Sequence, residues 1–170
     1  MIEFMVIAAP RSGTTWAANW LTTDTTLCIH DPLWEHQWDG LDKIESKKTL
    51  GISCTALALI RGYANRHKAR KVILHRDTDE IDSSLLEIGL PQLGQEWNGA
   101  LDSIEGYHCE WQDIFYNPRP IYEHLLQLPF DSERHAELMK IRMQPAFEKL
   151  TVNRAAVNGL IRKMKEAAKC

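Results

Sequence analysis

The chain has 170 residues, 44% of them hydrophobic and 25% charged, with a formal net charge of −3. That size suits a single domain, residues 1–170, with a substantial core. The charge balance excludes a general electrostatic affinity for nucleic acid or for an anionic membrane surface, so any anion site must be built locally.

The first element is an apolar run, Phe4 to Ala9, bounded by Pro10. It is short and reads as a buried strand. Pro10-Arg11-Ser12-Gly13-Thr14-Thr15-Trp16 follows, and a helical pattern begins at Thr14 and runs over residues 14–21. Gly13 permits a tight backbone path. A turn of small hydroxyl residues entering a helix directs several backbone N–H groups at one spot. Those donors and the positive helix end predict an anion site, most naturally for phosphate. Arg11 adds planar, forked donors and a fixed charge. The string is not a Walker loop, which needs Lys directly after its last Gly. Here Thr14 follows Gly13, and the first Lys of the chain is Lys43. Within the following helix Trp16 and Trp20 share a face.

Residues 25–30 predict a second strand, ended by Asp31-Pro32. The segment from His30 to Asp39 then packs two His, three carboxylates and two Trp into ten positions. Ligands of open α/β sheets sit outside the carboxyl ends of the strands, so this segment should face the same crevice as Arg11. Asp31 and Glu35, then His36 and His30, are the candidates for a general base. No metal-ligand spacing such as HExxH occurs, and no metal is expected.

Residues 49–55 predict a third strand and residues 56–67 a helix with a basic far end. Residues 71–76 are a near-continuous apolar run, expected of a parallel strand buried on both faces. Asp77 is placed to cap the next helix, with Glu80 completing a capping-box-like arrangement. Arg76 then sits at the strand's carboxyl end and Ser84 about two turns along the helix. Residues 90–106 are rich in Gly and polar residues and offer Trp97 either as a stacking surface or as a packed surface side chain. Residues 107–115 predict strand five and its exit. Asn117-Pro118 enters a helix lined by Ile121, Leu125 and Leu128. Ser132 is expected to cap a helix through residue 143, and the pattern of residues 153–169 predicts an amphipathic helix whose apolar stripe suits core packing or a homodimer.

Three of the four cysteines, Cys28, Cys54 and Cys109, fall in predicted strands, and with Cys170 they show no CxxC spacing. Neither zinc nor disulfides are expected, and a reducing cytoplasm fits. The N-terminal run is too short for a membrane span and lacks a basic flank, so no span and no signal peptide are expected.

Pro10–Trp16 resembles the 5′-phosphosulfate loop of the sulfotransferases that use 3′-phosphoadenosine 5′-phosphosulfate (PAPS), where PKSGTTW or PRSGTTW follows the first strand. Arg76 with Ser84 resembles that family's second signature, an Arg at a strand end and a Ser eight residues later that grip the 3′-phosphate. The family's RxPxD start is here RDTDE. His30-Asp31-Pro32-Leu33 looks like its HEPL-type segment, and the run from Tyr107 to Asp131 resembles its YEDL…DP…LGLPFD segment. Coverage thus reaches about residue 131, with C-terminal helices beyond. A late RxGxxGxW-type closing segment is not found; Arg134, Lys140 and Arg142 stand as candidate substitutes.

The resemblance implies the P-loop-like sulfotransferase fold in compact form, α/β with a parallel sheet of about five strands and helices on both faces. It implies transfer of a sulfuryl group from PAPS, without a metal, to a hydroxyl or amine of a small-molecule or glycan acceptor. Arg11, Ser12, Gly13, Thr14, Thr15, Trp16, Arg76 and Ser84 would hold the nucleotide. Arg11 would stabilise the leaving oxygen, and Asp31, Glu35 or His36 would take the acceptor proton. Two alternatives stand beside it. One is a silent nucleotide-binding or assembly protein on the same fold. The other is a small-molecule kinase with a degenerate loop.

Overall fold

A computed structural model describes residues 1–34, 38–87 and 89–141, without the side chains of Trp34, Trp38 and Asp39. Five strands form one sheet: β1 (Ile2–Ala8), β2 (Thr26–His30), β3 (Thr49–Cys54), β4 (Arg70–His75) and β5 (Tyr107–Glu110). Their order is β2-β3-β1-β4-β5, and every neighbouring pair is parallel. The helices are α1 (Thr14–Leu21), α2 (Arg61–Arg66), α3 (Thr78–Glu87), α4 (Gly94–Leu101), α5 (Asp113–Tyr116), α6 (Pro118–Leu126) and α7 (Ser132–Met139). They cover both faces, so the α/β architecture expected from the sequence is the one observed.

Strand alternation explains the two layers. Phe4, Val6 and Ala8 of β1 pack with Trp16, Trp20 and Leu21 of α1, Ile114 of α5 and Ile121, Tyr122 and Leu125 of α6. Met5 and Ile7 point the other way, among Leu57, Ala64, Ile81 and Leu85, with Trp97 and Leu101 of α4. Each fully buried Ile, Leu or Phe here contributes roughly 1.5–3 kcal/mol. The register slips between Ile2 and Phe4, which lets Ile2 join the face of Met5. Phe4 lies over Gly51 of β3, where an added Cβ would stand 2.0 Å from the ring. Only glycine fits beneath that side chain.

The order of the strands creates a switch point. From β1 the chain leaves toward β2 on one side, and from β4 toward β5 on the other. The helices after these two adjacent strands lie in opposite layers: α1 with one core, α3 with the other. The exits of β1 and β4 therefore part and leave a crevice between them. Register sets them level, with Ala8 beside Leu74.

Several local expectations are corrected. The predicted helix 56–67 is a 3-10 turn, Ala56–Ile60, followed by α2, because Ile60 leaves helical geometry at φ −110° and ψ 47°. Residues 90–106 contain α4, and Trp97 is buried against the core, not a stacking surface. Asp131, not Ser132, caps α7 by accepting from the Arg134 N–H, and that helix ends at Met139. Leu128 is not on the buried face of α6. Cys28 and Cys54 are buried free thiols whose pKa burial raises, as befits small apolar side chains, and burial pushes Cys109 up to about 12. No described helix is long and apolar enough to cross a membrane. Glu35, His36, Arg142, Cys170 and the amphipathic segment 153–169 lie outside the described residues.

Candidate active site

The turn after β1 is built by two left-handed residues, Arg11 at φ 66° and Gly13 at φ 80°. They curl the chain so that α1 starts at Thr14 with Gly13 as its N-cap and no side chain capping it. The contrast is with α3, where the Asp77 carboxylate accepts from the N–H groups of Asp79 and Glu80. The first N–H groups of α1 are left for another acceptor. Ser12 beside them is fully buried, and its Oγ has no partner among the described residues. A buried hydroxyl without a partner is costly.

The crevice joins the two predicted signatures directly. Arg11 Nε donates to Ser84 Oγ at 3.1 Å, and Arg76 Nη1 donates to the Arg11 carbonyl at 2.6 Å. Arg76 also stacks over the Trp111 ring, 4.8 Å from its centroid. A cleft of about 300 Å³ runs between Arg11, Gly13, Trp16, Arg76, Ser84 and the aromatic wall of Trp111 and Phe115. Two guanidinium groups and an uncapped helix start thus meet one aromatic-lined cleft. The arrangement suits an anionic, partly flat ligand. Among the described residues no cluster of three or more His, Cys, Asp or Glu could hold a metal ion.

The exit of β2 reaches the same turn. His30 is level with Ser53 of β3, and Ser53 with Val6 of β1. His30 Nε2 lies 3.2 Å from both Thr14 Oγ1 and Thr15 Oγ1 and 3.3 Å from Asp31 Oδ2. Ser53 Oγ donates to the Thr14 carbonyl at 2.9 Å and pins the start of α1. The carboxylate of Asp31 is committed: its Oδ1 accepts from the Thr55 N–H at 3.0 Å. Asp31 itself is left-handed, φ 42°. It orients the exit of β2 and stands beside His30.

The structure thus brings Arg11, Ser12, Gly13, Thr14, Thr15, Trp16, Arg76 and Ser84 together around the exits of β1 and β4, with Asp31 alongside. Trp16 is buried, edge-on to Phe115 at 4.9 Å and tilted against Trp20 at 5.3 Å. Two features escape sequence reasoning, and a third, the candidate His30, has a larger place than its rank there. His30, ranked last as a base, is the imidazole on the turn. Trp111, on the connection after β5, and Phe115, on the short helix α5, wall the cleft from a stretch with no periodic signal. Glu80 does not close a capping box: its Oε2 takes Arg76 Nε at 2.9 Å. Arg134 is likewise structural, donating to the carbonyls of Asn19 and Thr22 at the end of α1. Lys140 pairs with Glu137.

No protein-family model matches the chain, and no curated protein matches it.

Proposed function

We propose that the chain is a sulfotransferase that moves the sulfuryl group of PAPS to a hydroxyl or amine of a small-molecule or glycan acceptor. The observation that carries this reading is the direct contact of Arg11 with Ser84 and of Arg76 with the Arg11 carbonyl. Two motifs 65 residues apart form one anion site. The residues suit the nucleotide: Ser12 offers a buried hydroxyl without a partner among the described residues, and α1 starts without a side-chain cap among them.

The roles follow from position. The backbone of residues 12–15 holds the 5′-phosphate. Arg76 and Ser84 take the 3′-phosphate, and the aromatic wall excludes water. The acceptor oxygen or nitrogen attacks sulfur, the bond from sulfur to the bridging phosphate oxygen breaks, and 3′-phosphoadenosine 5′-phosphate leaves. Arg11 stabilises the charge that grows on the departing oxygen. Arg stays protonated at neutral pH, so its contribution is electrostatic only. The acceptor proton passes to a base at the exit of β2, drawn from Asp31, Glu35, His36 and His30. Among the described residues His30 is the imidazole in reach of the turn, and Asp31 is partly withdrawn by Thr55.

One observation favours a second reading, nucleotide binding without turnover: Arg76 Nε already has an internal carboxylate partner. The deciding experiment follows labelled sulfuryl from PAPS into a panel of phenols, alcohols, amines and saccharides. The proposal expects a sulfated product in step with 3′-phosphoadenosine 5′-phosphate. It also expects Arg11→Ala to lower kcat by roughly 10²–10³-fold, the loss typical of removing a charge-stabilising donor. Tight nucleotide binding with no product from any acceptor supports the silent reading instead.

A further inference from the structure

Beside Arg76 a second cleft, about 390 Å³, is lined by Arg76, Asp79, Glu80, Ser83, Ser84 and Glu87. Helical spacing along α3 brings Asp79, Glu80, Ser83, Ser84 and Glu87 to one side, next to Arg76. Three carboxylates thus stand around one guanidinium, at the place the sulfotransferase reading gives to a dianionic 3′-phosphate. Glu80 is the nearest, with Oε2 on Arg76 Nε at 2.9 Å.

The two partners are held differently. The Arg76 side chain is 16% exposed and has two further anchors, the Arg11 carbonyl and the Trp111 ring. The Glu80 side chain is 48% exposed. Losing Glu80 therefore leaves Arg76 in place. A carboxylate oxygen on that N–H occupies the position that a phosphate oxygen would need. Displacing it forfeits only an i,i+4 surface pair, yet the displaced charge stays close to the incoming anion.

Resting on the sulfotransferase reading, we propose that Glu80 is a built-in competitor for the 3′-phosphate. It sets how strongly the site prefers a 3′-phosphorylated nucleotide over one with a free 3′-hydroxyl. Asp79 and Glu87 add to the same field.

The test is calorimetric titration of 3′-phosphoadenosine 5′-phosphate and of AMP into wild type, Glu80→Gln and Asp79→Asn. Glu80→Gln should tighten the 3′-phosphorylated nucleotide about tenfold, as expected for removing a charge at close range, and change AMP less than about twofold. Asp79→Asn should tighten it about two- to threefold, an effect lost at high salt. Should Glu80→Gln not fold, Glu80→Asp serves in its place, because the shorter side chain draws back from Nε and should also tighten binding. Weaker binding of the 3′-phosphorylated nucleotide to either Glu80 variant would overturn the proposal and make Glu80 a positioning residue for Arg76. An equal gain for both nucleotides would overturn it too. Binding of neither nucleotide to any variant would instead bring down the sulfotransferase reading on which it rests.

Discussion

Gly13→Ala tests the geometry of the turn most sharply. Gly13 has φ 80°, and a Cβ there would stand 2.8 Å from Ile114 Cδ1. The left-handed conformation costs an L-residue roughly 1–2 kcal/mol. Carbon atoms in contact prefer about 3.5–4.0 Å, so the Ile114 methyl must retreat by about 1 Å. It has little room, because Ile114 is 1% exposed. Overpacking a filled core costs about 1–3 kcal/mol more. Together the substitution should cost roughly 2–5 kcal/mol, or about 4–20 °C in Tm for a chain of this size. Thermal unfolding reads the loss. Ile114→Val removes Cδ1 at a cost of about 0.5–1.5 kcal/mol. The double variant should therefore be less destabilised than the sum of the singles by about 1–3 kcal/mol. Nucleotide binding should weaken in Gly13→Ala and remain weak in the double variant, since the backbone strain persists. A Tm within about 2 °C of wild type, with strict additivity, would refute the left-handed turn.

Two further predictions address the rim of the site. Asp31 has φ 42° and accepts from the Thr55 N–H. Asn tolerates that backbone and can still accept, whereas Ala does neither, so Asp31→Asn should fold nearly as stably as wild type and Asp31→Ala should lose about 2–3 kcal/mol by urea unfolding. Equal stability of the two variants would contradict the structural role, and unchanged turnover in Asp31→Asn would remove Asp31 as the base. His75, beside Arg76, is held below its ordinary value of 6.5, first by burial and then by His108, against the opposing pull of Asp102 and Glu110. His108 Nε2 donates to the Ile104 carbonyl, so its Nδ1 accepts from His75 Nε2 at 2.8 Å. Unfolded chains then bind more protons than folded ones. Stability contributed by neutral His75 is present above pH 6.5 and is lost as pH falls through it toward the depressed folded value, at no more than about 1.4 kcal/mol per pH unit. His75→Gln should flatten that part of a stability-versus-pH profile, and superimposable profiles would contradict the assignment.

The parts of this account that were legible in the sequence are those set by short-range pattern. The run from Phe4 to Ala9 and the apolar centre of residues 71–76, Val72 to Leu74, are short and bounded, as buried parallel strands are. The residues that end them, Arg11 and Arg76, must then meet at the sheet's carboxyl edge. Tertiary partners were harder to read. Glu80 has the spacing of a capping box, but Arg76 offers a charged donor, which outcompetes a backbone N–H. Trp97 looked like a surface aromatic because its neighbours are polar, yet α4 turns it onto the core. Trp111 reaches the cleft from a short connection between β5 and α5, where no periodicity marks a face. Arg134 finds its acceptors more than a hundred residues away, at the end of α1.

The central claim is that Arg11, Arg76 and Ser84 form a site for a 3′-phosphorylated nucleotide. Its most direct test is a thermal-shift titration with 3′-phosphoadenosine 5′-phosphate, beside ATP and AMP, on wild type and Arg76→Ala. A ligand at a hundred times its Kd adds about 2.7 kcal/mol, which for this chain length is roughly 5–11 °C in Tm. The account predicts that shift for the 3′-phosphorylated nucleotide, a smaller one for AMP and ATP, and its loss in Arg76→Ala. No shift with any nucleotide, or a shift with ATP alone that Arg76→Ala leaves intact, would contradict it.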